Sequence, residues 1–221
     1  MWKALKGLFG GGGSPAQPPT PDGDPPPAHG WDAIEAACAA VHGDAEPMHW
    51  AHKGVMAMHD LKTPPENPLD GVSIYDGGDY WHYVGFGLSE LYAKQTRDPA
   101  WSGFGLELCF RLIKPEPTDE APLWPVDLLT SLSKAVFSGS RFEHGHTVKC
   151  GPINGDPDCP AVGLFLVEDP DLGTLDTPHG RVVMLLLVGI DAETHARAQG
   201  ESHLSVLAEL RAENPALVTR V

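Results

Sequence analysis

The chain has 221 residues, 42% of them hydrophobic, enough for one ordinary domain with a real core plus a tail. Thirty acidic residues against 15 basic give a formal net charge of −15, a field that repels phosphate backbones and argues against a general nucleic-acid binder. This acidity is read first as ordinary solvation, with a basic partner as the sharper alternative.

The first nine residues, Met1-Trp2-Lys3-Ala4-Leu5-Lys6-Gly7-Leu8-Phe9, place Trp2, Leu5 and Phe9 on one side of two helical turns, flanked by Lys3 and Lys6. They are too short for a secretory signal. Residues 1–9 are therefore either a weak contact with an anionic membrane surface or partner groove, or a frayed end. So short a helix rarely persists alone, which favours the frayed end. Residues 10–30 hold six glycines and seven prolines among 21 residues and almost no apolar side chains. They read as a disordered linker, unable to bury enough surface to offset its ordering entropy. Gly10 to Gly13 lack the lysine and hydroxyl of a phosphate-binding loop.

The folded domain is expected over residues 31–221. Asp32 and Glu35 suggest a capping box, followed by a helix with Ile34, Ala37, Cys38 and Val41 on one face, ending near Gly43. Pro47 to Pro68 reads as loop with one short strand around Val55. Pro68-Leu69-Asp70-Gly71 is turn chemistry. Tyr80 to Phe86 reads as a strand, and Leu88 to Ala93 as a helical turn. Leu106, Leu108, Phe110 and Leu112 alternate with Glu107, Cys109, Arg111 and Ile113, the pattern of a half-buried strand. Trp124-Pro125 opens a helix whose inner face is Val126, Leu129, Leu132 and Val136. Val162 to Glu168 and Arg181 to Ile190 are strands, the second apolar on both faces and hence central. Asp169 to Leu172 and Thr177 to Gly180 are turns between them. Asp191 and Ser202 each suit a helix cap, the last helix carrying Leu204, Leu207 and Leu210 inward. The fold class is α+β, a mixed, largely antiparallel sheet with packed helices.

The four cysteines, Cys38, Cys109, Cys150 and Cys159, outline no disulfide framework, so a reducing, cytoplasmic location is expected. The longest apolar run, Val182 to Ile190, is too short to cross a bilayer. His49, His52 and His59 would share a face only on a continuous helix, and Pro47 and Gly54 oppose one. His144 and His146, ahead of Cys150 and Cys159, match no zinc spacing. No metal and no cofactor is expected. Gly87-Leu88-Ser89-Glu90-Leu91 lacks the closing glycine of a nucleophile elbow, and no carboxylate pair stands out, so no catalytic residue is assigned. Asp79-Tyr80-Trp81-His82-Tyr83 puts aromatic bulk on both faces of one strand. This is either an aromatic platform for a peptide or, the favoured reading, a strand covered on its second face by a helix. In the second case His82 is satisfied by a carboxylate such as Glu90 or Glu107.

The segment from Asn67 to Tyr92, with its Pro-Leu-Asp-Gly turn, Tyr-Trp-His-Tyr strand and Gly-Leu-Ser-Glu-Leu-Tyr sequence, resembles the hallmark of the Suppressor of fused family. Ordered motifs extend the resemblance over roughly residues 30–213: Gly30 to Glu35, Glu46 to Trp50, Ser102 to Leu112, Leu123 to Pro125, Glu168 to Leu172, Thr177 to Gly180 and Leu187 to Ile190. The resemblance implies the fold of that family's N-terminal domain and a protein-binding function without catalysis. Animal members add a second domain and clamp an extended peptide of a Hedgehog-pathway transcription factor. The Tyr and Asp that grip it fall near Ala135 and His146 here, and Leu186 replaces a frequent Gln, so that particular partner is not implied. A single domain with a linker leader resembles the free-standing bacterial form, some members of which are thought to be immunity proteins against toxins. The candidates for partner contact are Asp79, Tyr80, Trp81, His82, Tyr83, Glu90 and His146, acting by strand addition at a sheet edge or groove beside the Tyr80 to Tyr83 strand. The partner is another protein, basic or a toxin. The competing reading is a metal-dependent or hydrolytic enzyme using His82 or the His144/His146 loop.

Overall fold

The computed structural model describes residues 27–51, 68–115, 118, 120–200 and 203–221. The leader, the linker up to residue 26, the strand near Val55, His52, His59 and the Ser202 cap lie outside these residues. Among the described residues eight strands form one sheet: β1 (Met48–Ala51), β2 (Gly71–Asp76), β3 (Tyr80–Phe86), β4 (Trp101–Ile113), β5 (Thr147–Lys149), β6 (Gly163–Glu168), β7 (Thr174–Thr177) and β8 (Gly180–Ile190). Their order is β1-β2-β3-β4-β8-β6-β5, with β7 paired to β8 off this path. The β4/β8 pair is parallel and the others antiparallel, so the sheet is mixed and largely antiparallel as expected. β8, apolar on both faces, runs between β4 and β6 at the centre.

Because strand side chains alternate, the sheet feeds two separate cores. On one face Trp81, Tyr83, Leu108 and Phe110 pack under α2 (Trp124–Phe137), which contributes Val126, Leu129, Leu132 and Val136, the stripe read from the sequence. Pro125 sits in the first turn of that helix, where its missing N–H costs nothing. On the other face Tyr75, Val84, Phe86 and Cys109 meet Trp31, Ile34 and Cys38 of α1 (His29–His42) and Leu207 from the last helix. α3 (Ala192–Gly200) and α4 (His203–Glu213) follow β8. Asp191 Oδ1 accepts the Thr194 N–H at 2.8 Å, the cap expected there.

Several elements differ from the sequence reading. α1 starts at His29 with Ala28 as its N-cap and no side-chain cap, so Asp32 lies inside the first turn and forms no capping box. What sets this start is tertiary. The Gly30 N–H donates to Leu91 O at 2.9 Å, and a Cβ at Gly30 would stand 2.1 Å from Glu90 O. The short strands β1, β2, β5 and β7 are additional to those expected. Residues 88–93 form bends and no helical turn. In α4 the inward residues are Val206 and Leu207, with Leu210 packed at the edge, while Leu204 is 60% exposed.

Candidate functional site

Between α1 and the sheet lies a chain of buried polar groups. His82 and Arg111 face each other across the β3/β4 ladder, and Tyr75 stands opposite His82 on β2. His42, in the last turn of α1, stacks on Tyr75 at 4.6 Å between ring centroids, and its Nε2 lies 3.0 Å from His82 Nδ1. The other His82 nitrogen faces Asp169 Oδ2 at 3.4 Å. Asp169 Oδ1 accepts from the Arg111 guanidinium at 2.7 Å and from the N–H groups of Asp171 and Leu172. Arg111 also reaches Asp171 Oδ2 at 2.8 Å and Ala216 O at 3.0 Å, tying the C-terminal segment to the sheet. The side chains of His82, Arg111 and Asp169 have no exposed surface. Burial depresses His82, and together with the neighbouring His82 and Arg111 it pushes His42 down to about 4. Burial alone would raise Asp169, but His82 and Arg111 outweigh it and hold the carboxyl well below the usual range.

A second buried carboxylate fixes the segment after β3. Glu107 Oε1 accepts from the N–H groups of Gly87, Leu88 and Ser89 at 2.9, 3.1 and 2.8 Å and from the Ser89 hydroxyl at 2.7 Å. Burial lifts its carboxyl to about 7 against these four donors. Gly87 has φ +144°, and a Cβ there would lie 2.6 Å from Pro68 O, so only glycine fits. Glu90 is likewise buried, and it accepts from the N–H groups of Gln95 and Thr96 and from Lys94. The Glu107 bonds, with Ser102 Oγ accepting the Glu90 N–H at 2.9 Å, explain why no helix starts here: the amides of Leu88, Ser89 and Glu90 are taken by side chains from elsewhere in the fold.

On β1, His49 packs against Gly71, approaches the Trp31 ring at 5.6 Å and places Nδ1 3.3 Å from Ser73 Oγ. Burial pushes its pKa from 6.5 down to about 4. The unfolded chain therefore binds this proton first as the pH falls. The stability contributed by neutral His49 is complete above 6.5 and is lost progressively down to about 4. At 1.36 kcal/mol per pKa unit the limit is about 3 kcal/mol, reduced to about 2 kcal/mol because the ring is partly exposed. His49→Phe should flatten the fall in urea midpoint between pH 6.5 and 4.5 relative to wild type. Parallel curves would remove His49 from the acid response.

A model of the Suppressor of fused protein family matches residues 65–221. The chain belongs to the Suppressor of fused family. It is 33% identical to the human Suppressor of fused homolog over 171 residues, spanning 69% of this chain and 35% of the human protein, and the mouse homolog matches equally. The chain thus spans about a third of the length of these curated relatives. Among solved structures, a chain in the Sufu–Fu complex superposes with TM-score 0.75 at 27% identity, covering 88% of this chain and 90% of that one. Drosophila Suppressor of Fused gives the same score and identity, with 50% of its chain covered. A SUFU homolog from Neisseria gonorrhoeae shares the fold with TM-score 0.56 at 13% identity, covering 86% and 92% of the two chains.

Within this Suppressor of fused fold the sequence candidates separate. Trp81, His82, Tyr83 and Glu90 are buried, Tyr80 is half-buried, and Asp79 and His146 are exposed. The covered-strand reading holds for β3: α1 lies over one face and α2 over the other. The carboxylate that faces His82 is Asp169, at 3.4 Å, in place of Glu90 or Glu107. β3 is also hydrogen-bonded on both sides, by β2 and β4, so strand addition cannot take place along it. The enzyme reading finds no support. His82 and Asp169 converge but are sealed from substrate. His144 accepts the Glu168 N–H through Nδ1 and meets His203 edge-on at 5.9 Å, while the exposed His146 places Nδ1 3.3 Å from Arg141 O. Sequence reasoning passed over His42, Cys109, Arg111 and Asp169. Arg111 was the legible one, a charged residue that shares with Glu107 the set alternating with the leucines and Phe110 of β4. Among the described residues no helix is long and apolar enough to cross a membrane.

Proposed function

We propose that this chain is a non-enzymatic protein-binding domain that holds an extended segment of another protein by strand addition at β5. The supporting observation is the position of β5: it ends the sheet, bonded to β6 on one side and to no other described strand. Thr147 and Val148 are half-buried, and Lys149, His146 and Cys150 are exposed, so main-chain groups and side chains are offered together. His146, at the entry to β5, becomes the first contact residue. Asp79, exposed in the turn after β2, and Tyr80, half-buried at the start of β3, are not part of β5. A partner class is suggested by the relative in the Sufu–Fu complex, whose matched chain is domain-sized. The net charge of −15 favours a basic partner, with the association rate falling as salt rises. The role is regulatory or protective, in the manner of an immunity protein: the partner is sequestered and left chemically unchanged.

The test begins with affinity capture from the native host, mass-spectrometric identification and reconstitution with the purified partner. Hydrogen exchange on the complex should show new protection in residues 146–149. Thr147→Pro/Lys149→Pro, which removes two edge N–H groups, should weaken binding at least about tenfold while leaving the thermal midpoint within a few degrees. Protection confined to another surface, or full binding by the folded proline variant, would refute the assignment of β5.

A further inference from the structure

We propose that His82, Cys109 and Asp169 form a structural zinc site sealed between α1 and the sheet. A ring nitrogen of His82, Cys109 Sγ and a carboxylate oxygen of Asp169 lie within 4.8 Å of one another, and all three residues are buried; His82 Nε2 is the nitrogen that faces Asp169. They come from three neighbouring elements: β3, the adjacent β4, and the turn after β6. Imidazole, thiolate and carboxylate together are a ligand set that zinc favours.

Two observations make this more than a chance meeting of residue types. Neither His82 Nε2 nor Asp169 Oδ2 makes a protein hydrogen bond, although both are wholly buried. Such orphaned atoms are rare in folded proteins and call for an occupant. Their separation of 3.4 Å also equals the edge of a tetrahedron whose N and O ligands sit about 2.0–2.1 Å from zinc, roughly 3.3–3.4 Å. An ion between them would therefore need little movement from either, with Cys109 Sγ, within 4.8 Å, closing in by at most about an ångström.

The surrounding groups orient these ligands as outer partners of a metal do. His42 Nε2, 3.0 Å from His82 Nδ1, can accept its proton and leave the Nε2 lone pair facing the ion. Arg111 occupies Asp169 Oδ1 and leaves Oδ2 free. Charge agrees: with a neutral thiol, Asp169, Asp171 and Arg111 sum to one negative charge. Zn(II) binding with release of the Cys109 proton brings the cluster to neutrality. The balanced step is coordination alone: the S–H bond breaks, a Zn–S bond forms, and one proton leaves. The site has no exposed surface, so the ion enters during folding, and its role is to clamp α1 and the 169–172 turn to the sheet. The fourth position is left to water.

The experiment unfolds the full chain with chelator and reductant, then refolds it with Co(II) as a spectroscopic substitute. The expected result is a thiolate-to-cobalt band in the near ultraviolet with visible d–d bands, saturating at one ion per chain and displaced by Zn(II). Cys109→Ser should abolish the near-ultraviolet band, whereas Cys38→Ser, Cys150→Ser and Cys159→Ser should retain it. His42→Ala should keep the band but weaken metal affinity about 10–100-fold. X-ray absorption on the zinc-refolded wild type needs no variant, and should find one sulfur at about 2.3 Å with the other ligands N or O. A refolded wild type that takes up no stoichiometric ion, a zinc edge without sulfur, or a band that survives Cys109→Ser or vanishes with Cys150→Ser would overturn the proposal.

Discussion

Replacing Arg111 by methionine is expected to lower the free energy of unfolding by about 3–5 kcal/mol, read as a fall in urea midpoint at unchanged m-value. Arg111 is wholly buried and makes three interactions at 2.7, 2.8 and 3.0 Å, to Asp169, Asp171 and Ala216. Methionine fills much of the volume but leaves the Asp169 carboxylate without its cation in a low-dielectric interior. The loss is therefore mostly the cost of a stranded charge, and it should shrink when that charge is removed as well. Asp169→Asn placed on Arg111→Met should cost clearly less than the two single changes added together, with a coupling of about 1–3 kcal/mol. The pH dependence follows from the depressed Asp169 carboxyl. Its contribution is complete above the unfolded carboxylate range and is lost as the pH falls toward the folded value. Wild type and variant should accordingly converge in acid. An Arg111→Met protein within about 1 kcal/mol of wild type at pH 7 would show that the cluster does not stabilise the fold.

The sequence made the apolar architecture legible because burial and periodicity coincide there. The α2 stripe, the central β8 and the alternating β4 are fixed by side chains whose partners can be inferred from spacing alone. The polar cluster was not legible in that way. His82, Arg111 and Asp169 are 29 and 58 residues apart along the chain, and only the β3/β4 register and the turn after β6 bring them together. The same limit explains the misreading of residues 88–93. Gly-Leu-Ser-Glu-Leu-Tyr has the composition of a helix start, but its first three amides are claimed by Glu107, which local propensity cannot register. Short strands such as β1 and β5 carry too few residues for a period to emerge. The aromatic density of Tyr80 to Tyr83 was visible, and its meaning was structural: a strand with helices on both faces needs bulk on both. The surface proposed for a partner is the plain-looking Thr147-Val148-Lys149, whose distinction is its position at the sheet border.

Glu107→Leu should be among the most damaging single changes in the chain, at about 4 kcal/mol or more. The leucine is of similar size and its burial is favourable, so an account based on hydrophobicity alone predicts a neutral or stabilising outcome. The hydrogen bonds predict the reverse. One carboxylate oxygen serves three consecutive backbone N–H groups and a hydroxyl, all in a buried segment. Removing it orphans those donors at about 1–3 kcal/mol each before relaxation. The segment cannot easily turn elsewhere. Gly87 is pressed against Pro68 O, and a Cβ at Gly103, whose φ is +57°, would stand 2.6 Å from Leu88 O, so neighbouring backbone encloses the loop on two sides. Damage should also travel to α1, because Gly30 docks on the Glu90–Leu91 backbone that this loop positions. Glu107→Gln keeps one acceptor oxygen but turns an amide donor toward the Leu88 N–H that Oε2 now accepts at 3.2 Å, and an intermediate loss of about 2 kcal/mol is expected. Native-state hydrogen exchange separates this mechanism from a general loss of packing. In Glu107→Gln the amides of Gly87, Leu88 and Ser89 should lose protection beyond the global change, while those of central β8 follow the global change alone. Uniform loss across both sets, or a Leu variant as stable as wild type, would mean that Glu107 does not anchor the loop.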